Sequence, residues 1–165
     1  MPKKPAYAKS YFAVNLELYV GLQPDGPFKL SNKPNDVVLS LIAPTFGTKR
    51  NVTFDNWFSN YDLMLTLLRQ HKITSVGTVR KNKRQIPESF KVVKNRPDHS
   101  SKFGFQKDMT LVSYTPRKGK VGLLMSTLHH TPDIDETTGD KSKPEVVSFY
   151  SATKGDVDVV DELSA

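Results

Sequence analysis

"NVTFDNWFSNYDLMLTLL", Asn51–Leu68, joins two patterns at one aspartate. Ahead of Asp55 stands the β-branched run "RNVTF", which reads as a buried strand. Behind it Trp57, Tyr61, Met64, Leu65 and Leu68 fall at i, i+4, i+7, i+8 and i+11, which predicts a helix with one broad apolar stripe starting at Trp57. His71 and Lys72 at its end suit the negative pole of a helix. "ITSVGTVR", Ile73–Arg80, is a second strand. Upstream, Asn35 can cap the short helix "DVVLSLIAP", with Val37, Val38, Leu41 and Ile42 on one face. Helix, strand, helix and strand in succession predict a partly parallel sheet covered by helices.

Outward from this centre the chain is more varied. "YFAVNLELYVG", Tyr11–Gly21, is a β-rich run and predicts a strand, followed by turn chemistry in "LQPDGPFKLSNKP". After Arg80 comes the basic turn "RKNKRQIP", then the short β runs "KFGF", "TLVSY" and "VGLLMSTL", divided by "QKDM" and "TPRKGK". These predict an inserted antiparallel unit. "HHTPDIDETTGDKSKPE" is a polar loop, "VVSFY" (Val146–Tyr150) a last strand, and "TKGDVDVVDELSA" a helix.

A length of 165 residues and 37% hydrophobic content suffice for one ordinary domain with a core. Lys and Arg number 24 against 17 Asp and Glu, and the net charge of +7 favours polyanions, nucleic acid foremost. With no cysteine, disulfides and thiolate metal sites are excluded. No stretch approaches the apolar length of a membrane span, and "MPKKPAYAKSYF" lacks the apolar region of a signal peptide.

Asp55 is the first candidate for chemistry. A carboxylate where a sheet strand ends and a helix follows lies where open α/β sheets keep their ligands; the alternative is a simple helix cap. Asp158 and Asp161, spaced i, i+3, form the second candidate and share a helix face; the alternative is an acidic helix start that complements the dipole. Carboxylates from a strand end and a distant helix can converge on Mg²⁺ or Mn²⁺, because hard cations prefer oxygen ligands. Two such ions about 4 Å apart can activate a hydroxyl and stabilise the leaving oxygen of a phosphodiester. Arg80, Lys81, Lys83 and Arg84 then fit phosphate contact, or are a solvated turn on a basic protein. Other patterns fail. The loop at Asp133 has Thr138 where a calcium loop needs glycine, His129 and His130 lack zinc spacing, and neither a phosphate loop nor a GxSxG elbow is present.

"VTFDNWFSNYDL", "SVGTVRKNKRQIPESF", "MTLVSYTPRKGKVGLLMS" and "FYSATKGDVDVVD" occur in an order and spacing that resembles the piggyBac family of DDE/D transposases, from about Tyr11 to the end. The resemblance implies an RNase H-like α/β core with a β-rich insertion between the second and third catalytic aspartates. It implies enzymes that cut DNA at transposon ends and join the freed 3′ hydroxyl to a TTAA target with two divalent ions. Matched by motif, the second catalytic aspartate is Asp55, the third is Asp158, and Asp161 is an additional functional aspartate. Asp156 replaces one glycine of the usual TKGG. The family's first catalytic aspartate, in a DE motif, has no counterpart here, nor have its upstream DNA-binding regions or its C-terminal cysteine-rich zinc domain. The expected fold is therefore α/β, a truncated RNase H-like core with an inserted antiparallel β-rich unit. Its parts are a partial core over 1–86, an insertion and loop over 87–144, and a return to the core over 145–165. The expected function is that of a catalytic-domain fragment, inactive alone, nuclear, with DNA as partner. A domesticated DNA-binding protein, or a fragment that pairs with a full-length transposase or with itself, is the alternative.

Overall fold

The computed structural model describes Gly26, Ser31 and residues 33–162, with side chains of the last helix described as far as Lys154. The strand expected at Tyr11–Gly21 and most of the turn after it lie outside the described residues.

The first helix, α1 (Pro34–Ile42), buries Val37, Val38, Leu41 and Ile42 as the spacing predicts. Its cap is not Asn35. Lys33 holds the N-cap position and Pro34 opens the helix, where a missing N–H costs nothing. A short 3₁₀ turn (Ala43–Thr45) leads to strand β1 (Asn51–Phe54), helix α2 (Tyr61–His71) and strand β2 (Thr74–Thr78). With α2 as the crossover, β1 and β2 pair in parallel, Thr53 opposite Val76 and Phe54 opposite Gly77.

The expected start of α2 at Trp57 is corrected by four residues. Asn60 Oδ1 accepts from the amides of Asp62 (2.9 Å) and Leu63 (3.4 Å), so the asparagine caps the helix and Trp57 stays outside it. The buried face follows from this phase. Leu63, Met64 and Leu67 are buried, Leu65 and Leu68 only half-buried, and Trp57 is 58% exposed.

A short helix α3 (Glu88–Lys91) precedes an antiparallel meander of β3 (Ser101–Gln106), β4 (Met109–Arg117) and β5 (Lys120–Ser126). The antiparallel unit shares the core sheet. β5 pairs antiparallel with β2, Met125 opposite Gly77, giving one five-stranded mixed sheet in the order β1-β2-β5-β4-β3.

Residues 146–150 are helical, not the expected last strand. They open α4 (Glu145–Glu162), where the amides of Val147 and Ser148 both reach the carbonyl of Pro144. A five-residue apolar run carries no period long enough to separate strand from buried helix. What decides here is packing, because Val146 and Tyr150, one helical turn apart, fill the second sheet face over Val76, Val112 and Leu124. The first face is covered by α1 and α2, whose apolar residues cluster with Phe54, Ile73, Leu123 and Met125. The sheet is thus a layer between helices, with β1 at one edge among the described residues.

Candidate functional site at the end of β1

The site is built on a tight corner. Where β1 ends, the carbonyl of Asp55 accepts from the amides of Phe58 (3.1 Å) and Ser59 (3.0 Å) and from the Ser59 hydroxyl (3.0 Å). Ser59 is buried against β2, and only glycine fits opposite it. A Cβ on Gly77 would stand 2.1 Å from Ser59 Oγ and 3.0 Å from the carbonyl oxygen of Phe54. The "NVTFD" and "SVGTV" elements are therefore matched across the strand pair.

The backbone of Asp55 is fixed while its side chain is exposed. Among the described residues its carboxylate has no hydrogen bond or ion pair, and the capping role belongs to Asn60. Asp55 follows β1 directly, two residues after Thr53, whose side chain lies on the second sheet face. That is the face α4 covers. Thr53 Oγ1 and Thr153 Oγ1 lie 2.7 Å apart, and Tyr150 Oη is 3.3 Å from Thr78 Oγ1. From Val146 over Val112 and Leu124 to Thr153 beside Thr53, α4 crosses the sheet toward its β1 edge. Asp158 and Asp161 belong to the same helix, beyond Thr153, and their side chains lie outside the described residues.

The basic turn folds over the same corner. Arg80, Lys81 and Arg84 are exposed, while Lys83 is half-buried in a shallow cleft with Ser59, Asn60, Tyr61 and Gln85, above buried Ile86. Arg80 Nε donates to Asn56 Oδ1 at 2.9 Å, and its guanidinium carbon stands 5.0 Å from the Trp57 ring centre. Sequence reasoning missed Asn56 as a partner and placed Trp57 in the core. The available signal was Asn60, a second good cap that starts the helix past the tryptophan.

A metal would need hard oxygen donors here. Among the described residues no group of three or more His, Asp or Glu side chains could hold an ion. Asp55 supplies one unengaged carboxylate at the strand end, and Arg80 is held by Asn56 and Trp57 rather than by that carboxylate. This donor chemistry fits Mg²⁺ or Mn²⁺ if α4 completes the set. Elsewhere, His129 Nδ1 lies 2.9 Å from the hydroxyl of buried Ser126, and its ring meets Phe149 edge-on. Burial pushes this imidazole below its ordinary value, against the opposing charge of Glu145. It is a packing group between β5 and α4. No helix among the described residues is long and apolar enough to cross a membrane.

A mixed sheet between helices, with an aspartate just past strand β1 and a helix crossing toward that strand, is an RNase H-like DDE fold. Comparison with known proteins is specific. Residues 6–165 match the family model described as Transposase IS4. The chain is also similar to a piggyBac transposase seen by cryo-EM as a synaptic complex with hairpin DNA, at 36% identity and a TM-score of 0.82. The match covers 94% of this chain and 32% of that one, so the chain spans about a third of the relative's length. The chain belongs to the Transposase IS4 family, and its fold is similar to that part of the piggyBac transposase. Transposases of the DDE class generally use divalent metal ions.

Proposed function

We propose that the chain is part of a transposase catalytic domain in which Asp55, Asp158 and Asp161 hold Mg²⁺ or Mn²⁺ while Arg80, Lys81, Lys83 and Arg84 contact DNA. The observation that carries this reading is the unengaged carboxylate of Asp55, two residues beyond Thr53, which meets Thr153 of α4. The helix that carries Thr153 to this edge also carries Asp158 and Asp161. The bound ions would polarise phosphodiester oxygens and activate a hydroxyl for attack. Asp55 is the residue offered to them by the strand. The basic turn would hold the DNA backbone beside it.

DNA as partner follows by analogy with the piggyBac relative, whose structure is a complex with hairpin DNA. With DNA as its partner, the nucleus is the compartment we propose. We divide the chain into core residues 1–86, a β-rich part over 87–144 and a return to the core from 145. The chain alone would hold an ion but would not complete strand transfer, for which more of the relative's length, or pairing with a full-length transposase or a second copy, would be required.

Manganese binding tests the site directly. Mn²⁺ should broaden amide resonances around Asp55 in the parent chain and far less in Asp55→Asn or Asp158→Asn. Equal broadening in Asp55→Asn overturns the metal assignment. A strand-transfer assay with terminal-repeat duplex and Mn²⁺ tests the second part, and robust joining by the purified chain would refute inactivity alone.

A further inference from the structure

Trp57 is the chain's only tryptophan, and it stands in solvent beside the site. A large ring left 58% exposed at a sharply defined corner needs a reason, because packing does not supply one. Its face carries the Arg80 guanidinium, 5.0 Å from the ring centre. Asn56, the residue between Asp55 and Trp57, takes the Nε hydrogen of the same guanidinium at 2.9 Å. Among the described residues the two terminal nitrogens of Arg80 have no hydrogen-bond partner, and Arg80 forms no ion pair with Asp55. A guanidinium held by its ring face and its Nε presents its remaining edge as a two-pronged donor, the geometry that suits a phosphate.

We propose that Trp57 and Asn56 are positioning residues for Arg80, orienting its terminal nitrogens toward a DNA phosphate next to Asp55 and keeping the cation off the carboxylate. This rests on the DNA reading above and adds residues that reading does not need. Two features favour it over a ring that stacks directly on a base. One ring face is already occupied by the guanidinium, and the Asn56 contact serves Arg80 alone.

Two measurements on the full chain test it. First, the fluorescence of the sole tryptophan should shift in Arg80→Ala without DNA, and the Arg80 Nε resonance should lose its ring-current shift in Trp57→Ala but keep most of it in Trp57→Phe. An Arg80 resonance unmoved by Trp57→Ala overturns the positioning role whether or not DNA binds. Second, anisotropy with a labelled duplex at several salt concentrations separates Arg80 from Trp57. Trp57→Ala should weaken binding about two- to fivefold with an unchanged salt slope, since the Arg80 charge remains. Arg80→Ala should weaken it and lower the slope by about one. The double variant should bind like Arg80→Ala alone. Additive losses would show that Trp57 touches DNA itself, which overturns the proposal. No binding by the parent chain would instead overturn the DNA reading, with the resonance shift still deciding whether the ring holds the guanidinium.

Discussion

Gly77→Ala is the most informative single change in the corner. The added Cβ would fall 2.1 Å from Ser59 Oγ, 3.0 Å from the Phe54 carbonyl oxygen and 3.2 Å from Phe54 Cβ. Ser59 is 1% exposed and cannot swing into solvent, and both Phe54 atoms belong to the paired strand. Forcing a methyl into a filled space costs about 1–3 kcal/mol. Displacing the Ser59 hydroxyl also removes its bond to the Asp55 carbonyl, another ~1 kcal/mol. A loss of about 2–4 kcal/mol corresponds to a drop in midpoint temperature of roughly 5–15 °C for a chain this size. Urea unfolding followed by far-UV circular dichroism would measure it. Because the closest atom is the Ser59 oxygen, Ser59→Ala in the same chain should recover about half the loss, and the remaining contacts with Phe54 should keep the rest. A Gly77→Ala variant within 0.5 kcal/mol of the parent, or a double variant with no recovery, would refute the claim that this close approach fixes the corner.

Asp55→Asn should leave stability within about 0.5 kcal/mol, because the carboxylate is exposed and unengaged; a large loss in a melting curve would mean that it has a structural partner. Leu67→Ala, at a position with no exposed surface, should cost about 2–5 kcal/mol in urea unfolding, and a loss below 1 kcal/mol would contradict the observed helix phase. Asp108→Ala breaks the contact of its Oδ2 with Arg69 Nε (2.9 Å) and Nη2 (2.7 Å) on the surface and should cost no more than about 1 kcal/mol. Burial holds the His129 imidazole below its ordinary 6.5, with Glu145, His130 and Asp133 as its charged neighbours. The unfolded chain therefore binds the proton more readily, so the contribution is intact above that value and is lost as pH falls below it. His129→Gln should shrink the difference in stability between pH 7.5 and 5.5, and an unchanged difference would refute the assignment.

Local signals read correctly where the chemistry of one element was self-contained. The apolar faces of α1, the two parallel strands with their crossover, and the three runs of the meander were all legible because periodicity and turn residues sit within each element. The failures have physical causes of another range. Trp57 continues the helical spacing by coincidence, and only the competition between possible caps, won by Asn60, excludes it. "VVSFY" satisfies both periods over five residues, and its helical state follows from a sheet face that α4 must cover. The pairing of β5 with β2 joins residues about fifty apart in the chain, which no local pattern encodes. The place of Asp55 at a strand end was legible, whereas the grip of Asn56 and Trp57 on Arg80 was not, since it joins two turns through side chains alone.

The corner divides its work between backbone and side chains, and that division suits a metal ligand. Every interaction that fixes residue 55 is made by its carbonyl oxygen or by neighbours, namely the Ser59 hydroxyl, the Gly77 approach and the Asn60 cap. The carboxylate is left with nothing to exchange for an ion. Had Arg80 paired with it, binding a cation would first require breaking a charge-assisted contact, and the arginine would be lost to DNA. Asn56 and Trp57 remove that competition by giving the guanidinium a neutral oxygen and an aromatic face instead. On the proposed reading a carboxylate and a tryptophan stand together at the end of a strand for one electrostatic reason: the acid would be kept open for cations, and the arginine would be kept for phosphate.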